Sequence, residues 1–274
     1  MFNYPKILHL YWNNNILSFL NYLTIISFNK FHENWQIIVY IPEMSNTNIT
    51  WTSNEQKITI KSTDYINKLK NIKNVKIEIL SNEFMKQHSI FELNDVLRSD
   101  YLRFYLLHTF GGVWSDFDII YIKNIENIFT HDNESIAFRC KLNKSIYHPV
   151  GFFISKKESN FFKHINDNQL QNMNNKTYQS IGATLLNKLC PNSENNYNVI
   201  FLDNTYYLYF QGCTRDITNL FTKLNTNFPN ETVGIHWFNG SDISKKYINN
   251  FDKSTFEINS TINYLIKDYI DYID

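Results

Sequence analysis

Hydrophobic and polar positions follow two rhythms along this chain. Short apolar runs rich in β-branched residues, "KILHLYW" at 6–12 and "WQIIVYIP" at 35–42, read as buried strands, the second stopped by Pro42. Between them "FLNYLTIISFNKF" (19–31) repeats apolar residues at helical spacing. Residues 43–74 are polar, with a short helix expected near "DYINKLKNI". "VKIEIL" (75–80) alternates apolar and charged residues, as a strand wet on one face does. Asn94 or Asp95 can then cap a helix on which Leu97, Tyr101, Phe104 and Leu107 or His108 recur at helical spacing. Gly111-Gly112 ends that helix, because a left-handed residue past a helix end costs glycine nothing. "VWSDFDIIYI" (113–122) is expected as the next strand.

The second half continues the alternation. Strands are expected at "SIAFRC", "VGFFIS", "NVIFLD", "YYLYF" (206–210) and "TVGIHWF", and helices in "SNFFKHINDN" and "YQSIGATLLNKL". The tail "STINYLIKDYIDYI" reads as a closing amphipathic helix. Strands alternating with helices argue an α/β fold whose mainly parallel sheet is covered on both faces. The 274 residues show no repeat and no linker, so one domain over 1–274 is expected.

Composition narrows the functional classes. With 26 basic and 26 acidic residues the formal charge is zero, so no electrostatic footprint for nucleic acid or an anionic membrane exists. No run approaches the ~20 apolar residues of a membrane span, and "MFNYPKILHLYWNNN" lacks the layout of a signal peptide. Cys140, Cys190 and Cys213 are scattered, with neither disulfide nor metal-ligand spacing. A cytoplasmic protein is expected.

One couplet carries chemistry. Residues two apart in a strand share a face, so Asp116 and Asp118 would stand together with Trp114, Cα atoms about 6–7 Å apart. Two bare carboxylates on one face repel, and burying them costs several kcal/mol unless a cation sits between. Oxygen ligands suit Mg²⁺ or Mn²⁺. Asp100 and Arg103 lie one helical turn apart on the helix feeding this strand. They are either an ordinary surface ion pair or a carboxylate and a phosphate-holding guanidinium beside the metal site.

The stretch "LRSDYLRFYLLHTFGGVWSDFD" resembles the signature of sugar-nucleotide glycosyltransferases with a DXD motif, of the family-32 and α-1,4-glycosyltransferase type, and more distantly the glucosyltransferase domains of large clostridial toxins. The shared pattern falls on Arg98, Asp100, Arg103, Gly111, Gly112, Trp114, Asp116 and Asp118, with Trp114 where tyrosine is commoner. "YPKILHLYW" resembles the opening strand of that family, which implies that His9 and Trp12 line the nucleotide pocket, Trp12 near the base; core roles are the alternative for both. "GIHWFNGSD" resembles its late metal-binding loop, which implies His236 as a third ligand and Gly240 and Ser241 near the diphosphate. Asp242 follows Ser241 where relatives often have tryptophan. Looser matches fall at Gly182, read first as helix packing, and at "HPVGFFIS" around His148 and Gly151.

The resemblance implies a GT-A fold, a mixed central sheet flanked by helices, and retaining transfer of a sugar from a nucleotide-sugar donor to an acceptor hydroxyl on a glycan, protein or other molecule. UDP is favoured as the carrier, with GDP open. Its catalytic residues would be Asp100, Arg103 and Asp116; its donor-binding residues His9, Trp12, Asp100, Arg103, Gly112, Trp114, Asp116, Gly240 and Ser241; its ligands for Mn²⁺ or Mg²⁺ Asp116, Asp118 and His236. A nucleotide-sugar hydrolase and a non-catalytic sugar-nucleotide or glycan binder are the alternatives. The residues name neither the sugar nor the acceptor.

Overall fold

The computed structural model describes residues 1–13, 15–48, 58–142, 145–193, 195–207 and 214–273. Its strands are β1 (Ile7–Tyr11), β2 (Gln36–Pro42), β3 (Val75–Leu80), β4 (Gly112–Ser115), β5 (Ile119–Tyr121), β6 (Ser135–Leu142), β7 (Ser145–Tyr147), β8 (Phe152–Ser155), β9 (Val199–Asp203) and β10 (Gly234–His236). Its α-helices are α1 (Phe19–Phe31), α2 (Ile66–Leu69), α3 (Asn82–Gln87), α4 (Asp95–Phe110), α5 (Asn160–Asn172), α6 (Ala183–Leu189), α7 (Thr214–Thr222), α8 (Asp242–Asn250) and α9 (Thr261–Ile266).

The central sheet runs β3-β2-β1-β4-β8-β6-β7, with β9 added beside β6. The first four strands are parallel, β8 and β7 run antiparallel to their neighbours, and β9 is parallel to β6. The sheet is thus mixed. The chain steps outward from β1 to β3 and then returns across β1 to lay down β4. That reversal makes the carboxyl ends of β1 and β4 a topological switch point, where open α/β sheets form their ligand crevice. A separate antiparallel pair joins β5 to β10, with His236 opposite Ile119.

Strand alternation sorts the core into two layers. Leu8 and Leu10 of β1 and Val113 of β4 pack on the α1 side, whereas Tyr11 and Trp114 pack on the side of α4 and α5. Trp114 therefore points at the helix that carries Asp100 and Arg103. Asn94 caps α4, accepting from the Leu97 N–H at 3.1 Å. The helix ends at Gly111, φ +67°, followed by Gly112 at φ +93°. A Cβ at Gly112 would stand 2.5 Å from the Ile7 carbonyl oxygen, so glycine is what lets β4 close against β1.

Several expected elements differ. "VWSDFDIIYI" is two strands: β4 stops at Ser115, residues 116–118 turn, and β5 leaves the main sheet. The tertiary pull of β10 overrides an apolar run that by itself would extend one strand. The helix expected from Tyr178 begins only at Ala183, because Gly182 at φ −99°, ψ −116° is not helical. The tail is α9 followed by a 3₁₀ stretch, Lys267–Tyr272. Residues 208–210 of the expected strand at 206–210, and Cys213, lie outside the described residues. Among the described residues no helix is long and apolar enough to cross a membrane.

Two histidines make the fold acid-sensitive. His9 Nε2 faces the Gly111 carbonyl at 2.9 Å, and Nδ1 faces the Tyr40 hydroxyl at 3.0 Å. A carbonyl only accepts, so Nε2 carries the proton and Nδ1 takes the tyrosine O–H. His32 Nδ1 donates to the Phe28 carbonyl, 2.8 Å, and Nε2 accepts from the Ile125 N–H, 3.0 Å. Both rings are neutral. Burial, only partly opposed by the Gly111 carbonyl for His9 and mainly by the Phe28 carbonyl for His32, pushes each pKa down to about 4. The unfolded chain takes these protons near pH 6.5, before the folded chain does. Stability is therefore full above pH ~6.5 and falls as pH drops toward 4, by about 3 kcal/mol per histidine. Urea midpoints measured from pH 7.5 to 4 should show this decline, and His32→Gln should reduce it by about half.

Candidate active site

The acidic couplet sits at the mouth of the crevice. Asp116 is the first residue past β4 and Asp118 the last before β5. The turn, not a shared strand face, brings their carboxylates together. The Asp116 N–H donates to the Gly151 carbonyl at 2.7 Å, which ties the turn to the start of β8. The Trp237 N–H donates to the Asp118 carbonyl at 2.8 Å, which ties its other end to the residue after β10.

Asp118 is fixed on both oxygens: Oδ1 lies 2.7 Å from His236 Nε2, and Oδ2 accepts the Asn239 N–H at 2.8 Å. Burial raises its pKa, but the His236 imidazole, its hydrogen bond and the Asn239 amide outweigh that, and the net shift is downward. Asp116 behaves oppositely. Burial pushes its pKa up and Asp118 adds to this, while Arg103, His236 and the Trp114 N–H resist. Part of the Asp116 carboxylate stays open to the crevice, its side chain 30 % exposed. One carboxylate is held charged and rigid; the other is strained by its neighbours and would gain most from a positive partner.

Donor atoms of Asp116, Asp118 and His236 all lie within 4.8 Å of one another. Among the described residues, His236 Nδ1 is buried without a hydrogen-bond partner. Two carboxylates and an imidazole form a donor set suited to a divalent cation of the Mg²⁺–Mn²⁺ kind. These residues fit such an ion.

Arg103 links the couplet to α4. Its Nη2 lies 3.1 Å from Asp100 Oδ1 and 3.7 Å from Asp116 Oδ1. Nη1 donates to the Val150 carbonyl, and the guanidinium carbon stands 5.1 Å from the centre of the Trp114 ring. Trp114 Nε1 in turn donates to Asp116 Oδ1 at 3.0 Å. Asp100 is fully buried, and among the described residues neither of its carboxylate oxygens has a hydrogen bond of acceptable geometry. Burial, offset by Arg103 and reinforced by Asp116, raises its pKa to about 7. A Cβ on Gly182 would fall 2.4 Å from Asp100 Oδ2, so the α5–α6 turn seals this carboxylate. The surface ion pair is excluded: Asp100 and Arg103 belong to the site's interior.

Farther up α4, Asp95 and Arg98 form a second buried ion pair, 3.1 Å, that Tyr11, Ser45 and the Asn46 amide complete. Arg98 also donates to the carbonyls of Met44, Ile90 and Phe91. This knot fastens the segment after β2 to the helix that bears Asp100 and Arg103.

Other expected residues fall differently. His9 is wholly buried with both ring nitrogens engaged by protein, so it has no atom to offer a nucleotide. Gly112 serves the β1–β4 contact. Trp12 is at the rim but largely buried, edge-on to Phe117 at 5.2 Å and donating to the Asn15 carbonyl. Ser241 spends its hydroxyl capping α8, and Gly240 lies in the turn before it. Val150 and Asn239 lie inside the family-like stretches but act through backbone groups, which residue type does not report, and Tyr207 touches the site without a sequence signal.

Residues 21–135 match a family described as the glycosyltransferase sugar-binding region containing a DXD motif. Over that stretch the chain is similar to glycosyltransferases with a DXD motif. It is an enzyme of the transferase class. Searching curated proteins gives no match. Among solved structures it resembles the galactosyltransferase LgtC, crystallised with donor and acceptor sugar analogues, at TM-score 0.50 and 12% identity over 97% of this chain and 96% of that one. It also resembles the bifunctional glycosyltransferase WbbM, at TM-score 0.51 and 11% identity over 100% of this chain and 50% of that one. GlyE of Streptococcus pneumoniae TIGR4 gives TM-score 0.51 and 10% identity, over 98% and 64%. Identities this low speak for the fold, which is GT-A. The matched region contains Asp100, Arg103, Asp116 and Asp118 and ends before His236.

Proposed function

We propose that the whole chain, 1–274, is one metal-dependent glycosyltransferase domain that moves a sugar, with retention, from a nucleotide-sugar donor to an acceptor hydroxyl. UDP is the favoured carrier. The observation that carries this reading is the convergence of Asp116, Asp118 and His236 within 4.8 Å at the crevice, beside a buried guanidinium.

A Mn²⁺ or Mg²⁺ held by these three residues would supply positive charge to the donor's diphosphate as it departs. The protein's own groups do the rest. Asp118, locked by His236 and Asn239, fixes the geometry of the ligand set. Arg103 presents charge to the phosphates from the other side, preorganised by Asp100, Val150 and Trp114, so it need not reorganise as the sugar–phosphate bond breaks. Asp116, between them, feels both. Retention follows from attack by the acceptor on the face the leaving phosphate vacates; the phosphate oxygen takes the acceptor proton. The free buried thiols Cys140 and Cys190 suit a reducing compartment.

The test is a panel of UDP- and GDP-sugars with Mn²⁺, read by nucleotide release and thermal shift, with and without candidate acceptors. Release stimulated by an acceptor supports transfer; release indifferent to every acceptor makes the protein a hydrolase. Binding without release makes it a binder, and silence across the panel overturns the reading.

A further inference from the structure

Tyr207 follows the turn Asn204–Tyr206 and stands beside the candidate metal ligands. Its carbonyl accepts the His236 N–H at 2.9 Å, and the Tyr206 carbonyl accepts the Val233 N–H at 2.8 Å, so its backbone is bound to β10. The ring is 0% exposed, with centroids 5.1 Å from Phe138, 5.4 Å from Phe152 and 6.3 Å from His236. A Cβ on Gly151 would stand 3.5 Å from a Tyr207 ring carbon and 3.0 Å from Asp116 Oδ2. The phenol edge and that carboxylate therefore border the same bare glycine.

The hydroxyl has no hydrogen-bond partner among the described residues. The Gly151 amide is the backbone group that bears on the phenolic oxygen, and as a donor it leaves the hydroxyl proton without an acceptor. Other buried tyrosines are satisfied: Tyr11 by Asp95, Tyr40 by His9, Tyr121 by Ser115. A hydroxyl shut away from water whose proton finds no acceptor is destabilising, and phenylalanine would fill the same space without that cost. Burial first, then the charge of Asp116, holds the phenol well above its ordinary pKa. It remains a neutral donor.

We propose that the Tyr207 hydroxyl donates a hydrogen bond to the sugar-diphosphate half of the donor, at a phosphate oxygen or an oxygen of the transferred sugar. The assignment rests on the nucleotide-sugar reading above and adds a ligand contact to that of Arg103.

Tyr207→Phe tests it, by calorimetric titration of wild type and variant with the nucleotide sugar found in the panel and with its nucleoside diphosphate, both with Mn²⁺, and by melting without ligand. The variant should melt at or above wild type, while its affinity for the nucleotide sugar falls about 5–10-fold. Weakening confined to the nucleotide sugar places the bond on the sugar; weakening of both ligands places it on phosphate. Unchanged affinity for both overturns the assignment. A wild-type protein that binds neither overturns the nucleotide-sugar reading itself, and this assignment with it.

Discussion

Asp118→Asn should fold and lose about 10²–10³ in donor turnover. The expectation comes from what asparagine can and cannot reproduce. Its Oδ1 can accept the Asn239 N–H and its Nδ2 can donate to a neutral His236 Nε2, so the turn between β4 and β5 keeps its anchors. What disappears is the negative charge and one anionic ligand of the three. Nucleotide release from the donor gives the rate. Melting with Mn²⁺ and nucleoside diphosphate gives the second readout: the stabilisation seen in wild type should vanish in the variant. A variant that keeps turnover within a few-fold of wild type would remove the metal from the mechanism.

Arg103→Met should act on stability as strongly as on turnover. It strips Asp100 of its cation while Gly182 still seals the carboxylate away from water. Breaking one partner of a buried pair typically costs about 3–5 kcal/mol, which for a chain of this size lowers the melting temperature by roughly 10 °C. Asp100 would respond by staying protonated further above its already raised pKa of about 7. The double variant Asp100→Asn, Arg103→Met should therefore melt above Arg103→Met alone. If the two changes simply add, the buried pair is not coupled and the role given to Asp100 fails. Turnover should remain depressed in both, since neither restores charge beside Asp116.

The α4–β4 stretch was readable in advance because its chemistry is local. A cap at Asn94, helical spacing through Leu107, two glycines at positive φ and the acidic couplet occupy one continuous run. Trp114 on the α4 side follows from strand alternation alone. The division of "VWSDFDIIYI" into two strands was not readable, because the force that divides it is β10, more than a hundred residues downstream. His9 shows the opposite limit. Its place in an apolar strand is plain from the sequence, but whether its ring faces a ligand or a protein carbonyl depends on Gly111, which closes over it only in the fold. Gly182 looked like a helix-packing residue; its contact is with a carboxylate brought from α4, on another element.

The pairing of β5 with β10 also bears on how the chain emerges during synthesis. Both acidic ligands are complete by residue 118, but the imidazole arrives at 236. A ribosome-bound product carrying the full matched region would display its carboxylates without the proposed third ligand and without the Asn239 amide that steadies one of them. Translation order thus delays assembly of the proposed ion-binding cage until residue 236 has been made, and fragments ending before it should bind divalent ions weakly.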